Sequence, residues 1–205
     1  VINTSFFEWA VDRSPEFDAV IGNPPFVRYQ FIPKRDRDNL ESMIALEGKS
    51  LARVSNLWIP FTIISLELLR HGGAFALVLP SELLAIKSAG LIRSEFIRHF
   101  SGLQIDLFPR GVFEGILQDV MVVSGRRDLA TTCSRPVTFR EHRRAGVREW
   151  THQIDDSKGS WTRYLLTHKE VAAVDAAYKL QEIHRLGDIA TIGVSTVTGA
   201  RKRVV

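Results

Sequence analysis

Phe17-Asp18-Ala19-Val20-Ile21-Gly22-Asn23-Pro24-Pro25-Phe26 is the stretch on which the reading of this chain turns. Asp18 to Gly22 is a short apolar run, the length of one strand in a parallel sheet. Asn23 follows with an amide that both donates and accepts, and asparagine tolerates the backbone conformations that corners need. Pro24 and Pro25 fix φ twice and remove two backbone N–H donors. Each residue before a proline is pushed towards extended conformations. The expectation is a stiff loop at the carboxyl end of a strand, rich in acceptors and poor in donors, with the Phe26 ring behind it. In open α/β sheets ligands bind in the crevice at that end.

Such a corner suits one chemical task. An exocyclic aromatic amine such as adenine N6 is a poor nucleophile, because its lone pair is delocalised into the ring. Two acceptors aimed at its two N–H bonds favour a more tetrahedral nitrogen whose lone pair faces an electrophile. The Asn23 side-chain oxygen and the Pro24 carbonyl are the candidate acceptors. Phe26 is the candidate stacking ring, an interaction of roughly 1–3 kcal/mol for a base on an aromatic.

The flanking sequence supplies the rest of an α/β pattern. Asn56 to Arg70 has apolar residues at helical spacing (Leu57, Phe61, Ile64, Leu68), with Ser55 or Asn56 as cap and Gly72-Gly73 as stop. Ala74 to Pro80 is a continuous apolar strand. Ser81-Glu82 opens a predicted helix running to about Phe100, with Ser81 as its cap. Leu103 to Phe108 and Asp119 to Ser124 are two further strands joined by a Gly-rich loop, an antiparallel pair. Strand, helix, strand, helix predicts a parallel sheet with helices on its faces. Val1 to Trp9 reads as the tail of a strand and the loop after it.

Asn-Pro-Pro-Phe after an apolar strand resembles the catalytic loop of S-adenosylmethionine-dependent amino-methyltransferases, the adenine-N6 DNA methyltransferases above all. The helix–Gly-Gly–strand–Pro-Ser–helix order after it is similar to that family's. The resemblance implies a Rossmann-like class I methyltransferase sheet with one antiparallel strand, of which this chain carries the C-terminal half. It implies catalytic roles for Asn23, Pro24, Pro25 and Phe26. Phe113 falls where such enzymes place a second aromatic, so Phe26 and Phe113 are expected to clamp a flipped base. Enzymes that act on a base in a duplex must extrude it, at a cost of a few kcal/mol. Ser5-Phe6 stands where the family has an acidic residue and Phe; the serine is a departure, and both residues are expected near the cofactor.

The implied domains are a partial catalytic domain over 1–130, a basic linker and helix over 131–184, and the start of a target-recognition domain over 185–205. The Gly-rich cofactor loop expected before the catalytic loop is absent, and the residues before Asn23 are too few for the strands that should carry it. The expectation is therefore a fragment, completed by the missing N-terminal half of the same protein or by a partner chain, and inactive when isolated.

Charge points towards DNA without demanding it. The formal charge is +4 over 205 residues. Arg126, Arg127, Arg135, Arg140, Arg143, Arg144 and Arg148 fall close together, with Trp150 and Trp161 interleaved. This reads either as a duplex-facing arm or as a solvated hairpin. Arg28, Lys34, Arg143 and Arg144 are the candidate contacts to the DNA backbone. His168 to Leu180 reads as an amphipathic helix, and Leu186 to Arg201 as strand and turn. A single cysteine, Cys133, argues against a disulfide framework or a cysteine zinc cluster. No metal is called for. No apolar run of about 18 residues exists to cross a membrane, and no signal peptide opens the chain, so a cytoplasmic protein is expected.

The resulting expectation is a site-specific adenine-N6 DNA methyltransferase of a restriction–modification or phage-defence system, using S-adenosylmethionine on double-stranded DNA. The rivals are a non-catalytic DNA-recognition module and an amino-methyltransferase acting on RNA or on a protein glutamine.

Overall fold

The computed structural model describes residues 3–10, 13–32, 34–35, 37–38, 56–109, 111–112, 119–129, 134–155, 159–180, 184 and 186–191. The chain divides into two compact units, Val1–Thr167 and His168–Val205.

The first unit is built on a six-stranded sheet of order β1-β2-β4-β3-β5-β6. Its strands are β1 (Phe17–Gly22), β2 (Leu69–Pro80), β3 (Phe100–Leu107), β4 (Val120–Arg127), β5 (Ser134–Arg143) and β6 (Gly146–Asp155). β1 is parallel to β2, and β3 is parallel to β5. β4 runs against both β2 and β3. It follows that β1, β2, β3 and β5 point the same way, and their carboxyl ends share one edge of the sheet. The antiparallel β3–β4 pair is the one expected from the sequence. β5 and β6 form an antiparallel hairpin that extends the sheet.

Helices α1 (Phe6–Ala10), α2 (Trp58–Glu67) and α3 (Gly90–His99) accompany the sheet. The main core gathers Trp58 and Ile63 from α2, Phe96 from α3, Leu77, Ile105 and Val123 from the central strands, and Phe139 and Trp150 from the hairpin. Phe75 stacks on Phe96 with centroids 5.3 Å apart and meets Phe100 edge-on at 5.1 Å. A smaller core under α1 joins Phe7 and Ala10 to Ile64 and Leu68.

Several expectations are corrected. The start of the chain, read as strand and loop, carries α1 over Phe6–Ala10. The Phe7/Ala10 spacing puts both residues on one helical face, where they are buried against α2. The predicted continuous helix from Ser81 to Phe100 is instead two short 3-10 turns, Ser81–Leu84 and Lys87–Ala89, followed by α3. Ser81 is not a helix cap: it sits inside the first turn, and its N–H donates to the Asp119 carbonyl at 2.9 Å.

Residues 134–155, expected within a basic linker, form the β5–β6 hairpin. Alternate positions Val137 and Phe139 on one strand, and Trp150, His152 and Ile154 on the other, face inwards and are buried. That is the period-2 pattern of a half-buried strand pair. The segment 159–165 also belongs to this unit. Trp161 is buried, its N–H donates to the Leu84 carbonyl at 2.7 Å, and Trp150 Nε1 donates to the Tyr164 carbonyl at 2.9 Å.

In the second unit, α4 (His168–Ala177) confirms a helix where one was expected, and none of its residues is buried. Leu186–Ile189 is a short helix, α5, where the sequence suggested a strand. The expected strand and turn beyond residue 191 lie outside the described residues. Among the described residues, no helix is long and apolar enough to cross a membrane.

Candidate active site

β1 delivers Asn23 to the carboxyl edge of the sheet. The register pairs Gly22 with Leu77, so residues 23–26 leave alongside the last residues of β2. Asn23 is exposed, Pro24 is buried, and Pro25 and Phe26 are half-buried. Phe26 packs against the main core. The loop is thus anchored by its prolines and its ring while the amide stays in solvent. This is the disposition a catalytic amide needs, because a side chain used on a substrate must be held from behind without being covered.

The segment after the loop is tied down as well. The Leu57 N–H donates to the Val27 carbonyl at 2.7 Å, and Arg28 forms a backbone bridge to Asn56. Asn56 Oδ1 lies 3.5 Å from the Trp58 N–H, beside the first turn of α2. Arg35 pairs with Glu8 of α1. The loop, the turn after it, α1 and the start of α2 therefore form one connected region.

Ser5 and Phe6 lie at the head of α1. Ser5 is half-buried, and its carbonyl accepts from the Trp9 N–H at 2.9 Å. The Phe6 ring stacks on Phe61 of α2, with centroids 4.0 Å apart. One face of Phe6 is therefore committed to the protein's own packing. Phe113 lies outside the described residues. Arg28 and Lys34 are exposed near the loop, and Arg143 and Arg144 are exposed at the tip of the β5–β6 hairpin, where Arg143 pairs with Glu141.

The other arginines of the basic cluster hold the fold. Arg127 donates to the carbonyls of Leu66, Glu67 and Leu69, closing the end of α2. Arg135 donates to the Ile97 carbonyl and pairs with Asp128 at 3.2 Å. Arg140 lies between Asp106 at 3.6 Å and Glu149 at 3.4 Å.

Two features escaped the sequence reading. Arg93 on α3 is buried, and its Nη1 donates to the carbonyls of Leu83 at 2.7 Å and Ile86 at 3.0 Å. Burial pushes its guanidinium pKa down from the ordinary value. At the carboxyl end of β3, Asp106 is nearly buried and meets His142 Nε2 at 2.6 Å, while Gln104 Nε2 donates to its other oxygen at 2.7 Å. The His142 ring stacks on Phe108, centroids 4.7 Å apart. A carboxylate inside the apolar run Leu103 to Phe108 was the available signal. No cluster of three or more potential metal ligands occurs among the described residues.

A parallel set of strands with β4 and β6 reversed, and an Asn-Pro-Pro-Phe corner at the carboxyl end of β1, fit the Rossmann-like class I fold expected from the sequence. Comparison with known proteins narrows this. The model of the Eco57I restriction-modification methylase family matches residues 2–113, and the chain belongs to that family. Type II methyltransferase M.HincII of Haemophilus influenzae is 30% identical over 125 residues, which are 60% of this chain and 24% of that protein. The chain thus spans about a quarter of the length of that curated relative. Among solved structures, the type IIG restriction endonuclease BpuSI superposes with a TM-score of 0.54 at 17% identity, over 80% of this chain and 22% of BpuSI. The methyltransferase subunit of a type I restriction-modification system from Streptococcus thermophilus gives 0.50 at 19%, over 86% of this chain and 34% of the subunit. At such identities these two likenesses concern the fold.

Proposed function

We propose that this chain is the part of a site-specific DNA methyltransferase that holds the target amine, and that the amine is N6 of an adenine flipped out of the duplex. The observation that carries the reading is the exposed Asn23 amide on an anchored corner, with Pro24 buried and Phe26 packed against the core. The Asn23 oxygen and the Pro24 carbonyl accept the two amine protons and turn the nitrogen lone pair outwards. Phe26 stacks on the base, and Phe113 takes its other face. Arg28, Lys34, Arg143 and Arg144 meet phosphates; such contacts position the duplex without reading its sequence.

S-adenosylmethionine fits this chemistry. The donor-poor corner suits the amine to be methylated. One face of Phe6 is stacked on Phe61, and Ser5 and the other face of Phe6 are the groups proposed to approach the cofactor. When bound, S-adenosylmethionine supplies an electrophilic methyl group on sulfur. The residues of this chain orient the amine and hold its protons, one of which passes to water once nitrogen has formed its new bond.

The names of the relatives, type II methyltransferase and restriction-modification methylase, favour DNA over RNA or protein as substrate, and a restriction–modification setting. The full-length protein with Asn23→Ala tests the reading. Methylation is expected to fall about 100-fold or more, the scale seen when one preorganised polar contact to the reacting group is lost. DNA affinity is expected to be retained. An unchanged methylation rate rejects the site, and methylation confined to RNA or protein rejects the substrate.

A further inference from the structure

One apolar group shortly after the proposed site in the sequence takes no part in the chemistry above. Phe31 is 68% exposed, while its neighbour Ile32 is 4% exposed. Phe31 closes the one-turn 3-10 helix Tyr29–Phe31, which begins shortly after the catalytic corner. The backbone beneath it is braced. The Phe31 N–H donates to the Arg28 carbonyl at 2.9 Å, the Leu57 N–H to the Val27 carbonyl at 2.7 Å, and Arg28 bridges to Asn56. The buried Ile32 pins the other side. The ring is therefore presented on a fixed turn.

Its surroundings suit a polyanion with a stackable interior. Arg28, Gln30 and Lys34 are exposed near it in sequence, and Val27 is 38% exposed. Cations on the flanks meet phosphates. Apolar wedges such as Phe are used to enter a base step and unstack it. Extrusion of a base costs a few kcal/mol and leaves a gap in the stack; a rigid ring that fills the gap lowers that cost.

We propose that Phe31 enters the duplex at the target step and occupies the space the extruded base vacates, with Arg28 and Lys34 on the neighbouring phosphates. Phe31 is then a positioning residue, distinct from the Phe26 clamp that holds the base once it is out. The inference rests on the reading of the chain as a DNA base methyltransferase.

The test uses the full-length protein and two duplexes carrying the site that it methylates. In one the target adenine is paired with thymine. In the other it faces an abasic position, where it is already poorly stacked. Phe31→Ala is expected to lower methylation of the paired duplex about tenfold, and that of the abasic duplex far less, because the cost that the ring offsets is absent there. Phe31→Trp restores the paired duplex. With 2-aminopurine at the target position, the fluorescence rise on binding shrinks for Phe31→Ala on the paired duplex. Asn23→Ala, by contrast, is defective on both. Equal loss on the two duplexes for Phe31→Ala overturns the proposal and makes the turn merely structural. No loss on either also overturns it, and leaves a protein partner as the cover of the ring. If the wild-type protein methylates neither duplex, the methyltransferase reading itself fails.

Discussion

Arg93 donates to the Leu83 carbonyl across 2.7 Å, and with its second bond to Ile86 it divides what would otherwise be one helix after β2. The carbonyls of residues 83 and 86 are those that a continuous helix would offer to its own N–H groups. A charged side chain takes the first and shares the second with the Ala89 N–H, and the backbone forms two short turns before α3 starts at Gly90. Both bonds run from one guanidinium nitrogen, Nη1, to main-chain carbonyls, which offset part of the cost of its burial. Arg93→Met is expected to lower stability by about 1–3 kcal/mol, since the buried Leu83 acceptor loses its donor and the Ile86 acceptor loses one of two. Thermal melting checks this, and an unchanged midpoint refutes it.

Gly73 governs how closely β1 approaches β2. A Cβ there would lie 2.9 Å from the Arg70 carbonyl oxygen and 3.1 Å from that of Phe17. Both are backbone atoms, so the strands rather than a side chain must give. Gly73→Ala is expected to destabilise by about 1–3 kcal/mol, as overpacking does. Because β1 carries Asn23, methylation by the full-length protein should fall more steeply than stability alone accounts for. A variant with wild-type melting and activity contradicts the strand contact.

The Asp106–His142 pair braces the start of the segment after β3 against β5. Asp106→Ala removes the acceptor shared by Gln104 and His142 and the counter-charge near Arg140. A loss of about 1–3 kcal/mol is expected from the donors left without it. Asp106→Asn, which keeps an acceptor oxygen, should lose less. Chemical denaturation of the two variants side by side separates these outcomes.

Exposed Arg144 at the hairpin tip and Arg28 beside the loop carry a different prediction. If each meets one phosphate, replacing either by Ala reduces the slope of log affinity against log salt by about 1. Titrations of full-length protein with DNA at several salt concentrations measure it. Arg127→Ala should behave otherwise, lowering stability, because its guanidinium is committed to the end of α2.

The features legible in the sequence were those set by local chemistry. Two prolines after a strand predict a rigid corner wherever the chain goes, and the Asn23 corner stands at the strand end where it was expected. The antiparallel β3–β4 pair was readable because two apolar runs flank a Gly-rich loop. What was not legible depended on contacts distant in sequence. The break between residues 84 and 90 comes from Arg93, whose spacing fits an ordinary helix. α1 is five residues long, and it owes its place to Phe6 and Phe7 packing on Phe61. The β5–β6 hairpin was one of two readings left open for the arginine-rich stretch, within a span otherwise read as linker, and alternating Val137, Phe139, Trp150 and Ile154 were the signal that could have chosen it. Burial of those alternate residues outweighs the charge, because the arginines can remain at the rim or turn to carbonyls and acids nearby.

The most direct test of the account is the identity of the base that the full-length protein modifies. DNA is incubated with protein and S-adenosylmethionine, digested to nucleosides and weighed by mass spectrometry. The account predicts N6-methyladenine for the wild type and its loss in Asn23→Ala. N4-methylcytosine in its place, or N6-methyladenine undiminished in Asn23→Ala, contradicts it.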